Sequence, residues 1–293
     1  MDMEYTKIQI SHKQQIEQIR KNTGNILLSH SFYTLFLWQE TMKLSIYLEE
    51  DFFVVKYRLK GENSYFCPCG NKEKILNWIQ TNCENKELRL FYVDEASKEM
   101  IEERFKGFFK FEYDSGSYEY IYDRLEHILK KGKKYQRIRR EINHLASNYT
   151  LRTEILTKKN LSVSRTVVEG WNKNHIEEKS NMTMEDISVA ESAIKNFSEL
   201  GLLGVLVYVD EKPMATAIGC EITNDTYGIQ VAKMCEKKEG LMFYLLEQMF
   251  KVIPNQYTYV NGDDDMNIEG IRIHKQKMKP VRMNEVWKVE SRL

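Results

Sequence analysis

Apolar and polar positions along this chain follow two periods. In the second half, runs near period two at Tyr149–Leu156, Leu203–Val209, Pro213–Glu221, Thr226–Met234, Tyr257–Val260 and Val281–Val289 predict strands. Helical spacing over 160–175 puts Leu161, Val167, Val168 and Trp171 near one stripe. Thr183–Glu199 reads as a second helix, with Gly201 as its C-cap. Glu239–Val252 and Met266–Met278 complete the helices, and Asp210-Glu211-Lys212 and Thr223-Asn224-Asp225 are turns between strands. The order is strand, two helices, three antiparallel strands, helix, strand, helix, strand.

The first half repeats that order in a worn form. Lys7–Ile10 is the first strand, and Lys13–Asn22 and Phe32–Met42 are helices. Leu44–Leu48 and Phe52–Leu59 form a hairpin, followed by strand Ser64–Pro68 and helix Lys72–Asn82. Strand Leu88–Val93, helix Ala96–Phe105 and strand Phe108–Tyr113 close it. This is a repeat of architecture rather than of sequence. It predicts an α+β chain of two domains, 1–128 and 129–293, each a mixed, mainly antiparallel sheet flanked by helices.

Composition narrows the function classes. The formal net charge is zero, so bulk charge gives no reason for nucleic-acid binding, and an anionic partner has to be met by a local patch. Such a patch exists: seven of the eleven residues from Lys130 to Arg140 are basic. No apolar run approaches the ~18 residues of a membrane span. Five scattered cysteines form no disulfide framework and imply a reducing, cytoplasmic setting. Cys67-Pro68-Cys69 lacks metal-ligand spacing, and no metal site is expected.

The order of elements resembles the Gcn5-related N-acetyltransferase fold, here in tandem. Local words resemble a bacterial family related to the C-terminal domain of phosphatidylglycerol lysyltransferases. They are Ser31-Phe32-Tyr33-Thr34-Leu35-Phe36-Leu37-Trp38, then Phe66, Pro68 and Gly70, then Tyr120-Ile121-Tyr122 and Gly132-Lys133-Lys134-Tyr135 with Arg139, Ile142 and Asn143. Asn196-Phe197, Leu200-Gly201-Leu202, Ile218-Gly219, Tyr259, Asn261, Ile268-Glu269-Gly270, Arg272 and Pro280 continue the match. Ile138, Arg140, Glu141 and the loop Gly262-Asp263-Asp264-Asp265 depart from the family pattern. The resemblance implies an acyltransferase whose wider relatives, the lysyltransferases and Fem-type enzymes, use aminoacyl-tRNA.

Acetyl-CoA enzymes of this fold hold pyrophosphate on glycine-rich backbone at a helix N-terminus. Here that junction, Lys233 to Met242, keeps one glycine, Gly240, between Glu236 and Glu239 on one side and Leu241 on the other. Aminoacyl-tRNA is therefore expected as donor ahead of acetyl-CoA, with no cofactor certain. The acceptor is a small molecule or a lipid head group. Lys133, Lys134, Tyr135, Arg137, Arg139 and Arg140 are the candidates for an anionic donor such as tRNA, unless the run is only a solvated helix. Lys233 interrupts an apolar strand and either faces solvent or polarises a carbonyl in a cleft. Glu269 is the second catalytic candidate. Glu221, Asn261, Asp263, Asp265 and Arg272 are candidates for placing the substrate, although acids ahead of a helix also serve as caps. The other class that fits is a non-catalytic module binding a ligand or nucleic acid on a degenerate fold.

Overall fold

The computed structural model describes residues 4–59, 61–84, 87–174 and 181–292, and side chains of 181–186 lie outside the description. His175, the expected end of a helix, also lies outside the described residues. In chain order the elements are α1 (Lys13–Thr23), α2 (Phe32–Met42), β1 (Ser45–Glu49), β2 (Phe52–Leu59), β3 (Glu62–Phe66), β4 (Cys69–Gly70), α3 (Lys72–Cys83), β5 (Arg89–Val93), α4 (Glu95–Arg104), β6 (Phe109–Tyr113) and β7 (Glu119–Asp123). There follow α5 (Arg124–Leu129), α6 (Gln136–Asn148), β8 (Leu151–Ile155), α7 (Leu161–Asn174), α8 (Asn181–Lys195), α9 (Phe197–Leu200), β9 (Leu203–Val209), β10 (Lys212–Glu221) and β11 (Thr226–Met234). The chain ends with α10 (Leu241–Val252), β12 (Tyr259–Asn261), α11 (Glu269–Lys277), β13 (Arg282–Asn284) and β14 (Trp287–Ser291).

The chain divides into two compact units. The first is 1–119 with 264–268 and 283–293, and the second is 120–263 with 269–282. The first sheet runs β1-β2-β3-β5-β14-β6, and the second contains β7-β12-β11-β10-β9-β8 in that order. Each sheet has one parallel pair in its middle. In the first it is β3 with β5, joined through α3, and in the second β11 with β12, joined through α10. The other neighbours along these paths are antiparallel.

Three expectations from sequence need correction. The last strand is divided between the sheets: its first part, β13, is the edge strand of the second sheet beside β7. It breaks at Glu285-Val286, and β14 pairs with β5 and β6 of the first sheet. The reason is apolar alternation: Trp287 and Val289 are buried in the same core as Leu90, Val93, Ile101 and Phe109. Conversely β7, expected within the first domain, lies antiparallel to β12 in the second sheet. The boundary is therefore at 119/120 rather than 128/129, and neither unit is continuous in sequence. Finally, no strand forms at 7–10. A single bridge between Thr6 and Ile46 stands in its place, and residues 10–12 form a 3-10 turn.

The core of the first unit is aromatic and dense. Trp78 of α3 meets Tyr65 edge-on at 4.9 Å, and Phe66 meets Tyr92 at 4.7 Å. The second unit is lined by aliphatic side chains of β9, β10 and β11, against which α7 and α10 pack.

Candidate functional site

The second sheet opens at its centre. β11 and β12 share only the rungs Thr226–Tyr259, Tyr227–Val260 and Gly228–Asn261. Among the described residues, β11 beyond Gly228 pairs with β10 alone. The ladder between β10 and β11 also slips there: Ile218 faces Val231 but Gly219 faces Ile229, so Gln230 is the extra residue of a bulge. A bulge strengthens local twist and turns the strand away from its parallel neighbour.

Lys233 lies on this unshared stretch, opposite Thr216, and is only 7% exposed. Its Nζ sits 4.1 Å from the centre of the Trp171 ring of α7. Thr216 faces the same helix, because its hydroxyl meets Ser164 Oγ of α7 at 2.8 Å. A buried ammonium needs compensation for lost water, and a desolvated cation on an indole face supplies up to about 2 kcal/mol. Sequence reading placed Trp171 on an apolar stripe and missed this pairing. A tryptophan at core spacing carries no signal that its face meets a cation. Gln230 and Lys275 were missed for the same kind of reason, since a bulge and a tether are properties of register and packing.

Asn261 is fully buried at the end of β12, and its Oδ1 accepts the Asp263 N–H at 2.8 Å. Asp263 adopts a positive φ of 66°, and its carbonyl accepts the Tyr120 N–H at 3.2 Å. Lys275 of α11 donates to the Gly262 carbonyl at 2.6 Å, fixing that helix against the loop. Glu269 is the exposed first residue of α11, where a carboxylate complements the helix dipole, and Arg272 follows on the same helix, half-buried. Asp265 belongs to the other compact unit and has no exposed surface. Its carboxylate accepts the Asn267 N–H at 2.9 Å, which shapes the loop.

Register separates the remaining candidates. Lys233 is five residues past Gly228, the partner of Asn261, which is about 16 Å along a strand. Glu221 is opposite Tyr227, at the other end of the sheet from Lys233, and accepts the Tyr257 hydroxyl at 3.1 Å. Lys233 and Glu221 are therefore on neighbouring strands without being close.

The basic block is mostly occupied by its own structure. Lys130 is buried and pairs with Glu247 at 2.6 Å, and burial lowers its pKa. Lys134 and the Tyr135 hydroxyl both donate to Glu126 Oε2 at 2.8 Å, holding that carboxyl below the usual range. Tyr135 is 2% exposed and packs edge-on against His127 at 5.2 Å, so it offers no free face for stacking on a base. Arg137 pairs with Glu141 at 2.7 Å. Arg139 donates to the carbonyls of Lys130 and, at 2.8 Å, Gly132. Lys131, Lys133 and Arg140 remain exposed without an ion pair among the described residues. Ile138, Glu141 and Leu145 form the buried side of α6, as the apolar stripe predicts for Ile138 and Leu145.

That buried side explains Gly240. The residue caps α10 with a φ of 81°, and a Cβ there would overlap the carbonyl oxygen of Glu141. The glycine thus admits close approach of the α6 backbone to the N-terminus of α10. Among the described residues, no group of three or more His, Cys, Asp or Glu could hold a metal ion, and no helix is long and apolar enough to cross a membrane.

The profile of one sequence family, phosphatidylglycerol lysyltransferase, C-terminal, matches residues 26–289. The chain belongs to this family. Among solved structures, a conserved protein of unknown function from Bacteroides thetaiotaomicron is 24% identical with a TM-score of 0.91, covering 99% of this chain and 100% of that one. The structure of L-PGS from Bacillus licheniformis is 14% identical with a TM-score of 0.61, covering 95% and 91%. A tandem GNAT protein from the clavulanic acid biosynthesis pathway is 8% identical with a TM-score of 0.50, covering 100% and 99%. No curated protein matches the chain. These likenesses give the fold as two tandem units of the Gcn5-related N-acetyltransferase type. Family and fold together are consistent with an acyltransferase of that type.

Proposed function

We propose that this lysyltransferase-family chain transfers an aminoacyl group from aminoacyl-tRNA to an amine or hydroxyl acceptor, and that the reaction takes place at the opening of the second sheet. One observation carries the reading. A buried lysine stands under Trp171 beside the unshared stretch of β11, while α6 packs on the α10 N-terminus where a CoA pyrophosphate would need to sit. The fold keeps a polarising cation and gives up the usual phosphate seat.

In this mechanism the acceptor amine or hydroxyl attacks the ester carbonyl directly. Lys233 Nζ stabilises the developing oxyanion, the ester C–O bond breaks, and the tRNA hydroxyl leaves with the acceptor's proton. Lys233 and Glu269 are the catalytic candidates carried forward. Asn261, Asp263 and Arg272 place the far end of the substrate, some way along the strand from Lys233. Lys133 and Arg140 meet the tRNA backbone, since Lys130, Lys134, Arg137 and Arg139 already have internal partners. The acceptor is a small molecule or a lipid head group, and the setting is cytoplasmic.

The test is a donor comparison. Purified protein is incubated separately with labelled aminoacyl-tRNA and labelled acetyl-CoA, each with a panel of amine and hydroxyl acceptors. The proposal expects label transfer from aminoacyl-tRNA only. Transfer from acetyl-CoA would refute it. Binding of tRNA without transfer to any acceptor would favour a non-catalytic module.

A further inference from the structure

The second sheet ends in a strand whose outer edge is open. β8 pairs with β9 on one side, and among the described residues no strand lies on its other side. It is separated from β11 by β10 and β9, so this edge is no part of the proposed reaction centre. Hydrogen bonds at its two ends fix which backbone groups face outward. Asp210 donates its N–H to the Thr150 carbonyl at 2.9 Å, and Leu156 donates to the Gly204 carbonyl at 2.8 Å. Thr150 and Leu156 thus turn toward β9, and backbone groups alternate sides along an antiparallel strand. The N–H and C=O groups of Leu151, Thr153 and Ile155 therefore point away from the sheet. Asn160 Nδ2 donates to the Ile155 carbonyl at 3.1 Å, and a carbonyl oxygen has room for a second donor.

The sequence of this strand, Leu151-Arg152-Thr153-Glu154-Ile155, is its own antiparallel complement. A second copy laid against it about a two-fold axis through Thr153 sets Leu151 opposite Ile155, Arg152 opposite Glu154, and Thr153 opposite itself. Thr153 and its symmetry mate then exchange both N–H···O bonds, and so do Leu151 and Ile155 on either side of the axis. The next registers that the backbone allows are slipped by two residues. They set Arg152 against Arg152 or Glu154 against Glu154, and like charges directly opposite destabilise a strand pair. The side chains needed for this contact reach the surface. Ile155 is 54% exposed, and the side chains of Arg152 and Glu154 are 39% and 38% exposed. Both charges are held at the rim by contacts within the chain. Arg152 pairs with Glu154, lies 3.7 Å from the Tyr208 ring centre and meets Glu211 at 3.1 Å, while Glu154 accepts Asn160 Nδ2 at 3.0 Å. The strand contains no proline and runs against β9 without a bulge.

We infer that β8 is the contact of a homodimer, in which two copies of the chain join their second sheets antiparallel about Thr153. The occupant is a second copy because the charge order of the strand fits itself, and does so in one register. Charges on an edge deter a strand of unrelated sequence, and here they match those of an identical one. Leu151 and Ile155 of the two copies meet on one face of the joined sheet, and the Arg152 and Glu154 pairs merge on the other. A contact this short buries less surface than a permanent dimer does. The association is therefore weak, with a dissociation constant on the order of 10 μM.

The test is sedimentation velocity on the full chain from roughly 1 to 100 μM. The expected result is a shift from monomer to dimer across that range, with slower amide exchange of Leu151, Thr153 and Ile155 at the upper end. Arg152→Glu alone and Glu154→Arg alone each set like charges opposite one another, and each should weaken the dimer at least about tenfold. An equimolar mixture of these two variants puts every charge opposite its counterpart and should associate again. The double variant Arg152→Glu with Glu154→Arg should do the same. Recovery in the mixture separates a contact across the axis from damage within either chain. A protein that stays monomeric at the highest concentration would overturn the assignment. So would a dimer that Arg152→Glu leaves intact, a mixture that fails to associate, or exchange at β8 that is independent of concentration.

Discussion

The two units solve one problem differently: what to do with the N-terminus of the helix that joins their parallel strands. In the first unit, Asn71 Oδ1 accepts the N–H groups of Glu73 and Lys74 at 3.0 and 3.3 Å, capping α3 from within. Gly70, at a φ of 138°, lets that segment lie against the Asp51 carbonyl of the β1–β2 turn. In the second unit α10 has no side-chain cap, and the backbone of α6 approaches at Gly240 instead. Both ends are occupied. What differs is the sheet beside them. The first is filled with aromatic rings, and the second holds Lys233 on a bulged strand. The contrast is that only the second unit holds a buried cation where its sheet opens, and the proposed reaction rests on that difference.

The largest expected effects come from the two glycines. Gly70→Ala and Gly240→Ala each place a Cβ into a backbone carbonyl at a positive φ, and each should lower unfolding free energy by roughly 3 kcal/mol or more. Urea denaturation is the measurement, and tolerance of Gly240→Ala would break the claim that α6 presses on α10.

Acid should act on both units alike. His30 in the first unit and His127 and His274 in the second are all held near a pKa of about 4 by burial. Each is neutral when folded and takes up a proton more readily when unfolded. Its stabilisation is therefore complete above the ordinary 6.5 and is lost as pH falls toward 4. The loss is of order 2 kcal/mol per histidine, and His127→Gln should flatten the profile of urea midpoint against pH. A flat profile in the unmodified protein would contradict the burial argument.

Smaller effects sharpen the contrast further. Asn71→Ala should cost about 1 kcal/mol in urea unfolding, a loss with no counterpart at Gly240. Lys133→Ala with Arg140→Ala should change stability by less than about 0.5 kcal/mol, yet reduce the salt dependence of tRNA binding by about two phosphate contacts. Arg139→Ala, by contrast, should affect folding first, because its guanidinium closes on the Lys130 and Gly132 carbonyls.

Much of the fold was legible because apolar periodicity reports local structure. The hairpins, the helices and the repeated order all follow from spacing. The exchange of β7 and β14 was not legible, since an alternating strand such as Trp287–Ser291 suits either sheet, and only packing of Trp287 and Val289 into the core with Leu90 and Phe109 decides between them. The basic block shows the same limit. Charge density is plain in the sequence, but the partners that use it up, Glu126, Glu141 and Glu247, are fixed only by packing. Lys233 stood out as a charge in an apolar strand. Its cover, Trp171, could not.

The most direct test of the account is Lys233→Met in the aminoacyl-transfer assay. Methionine keeps most of the volume and the contact with Trp171 while removing the charge. The account predicts a thermal midpoint close to that of the unmodified protein and a fall in transfer rate of about a hundredfold or more. Transfer at an undiminished rate would contradict it.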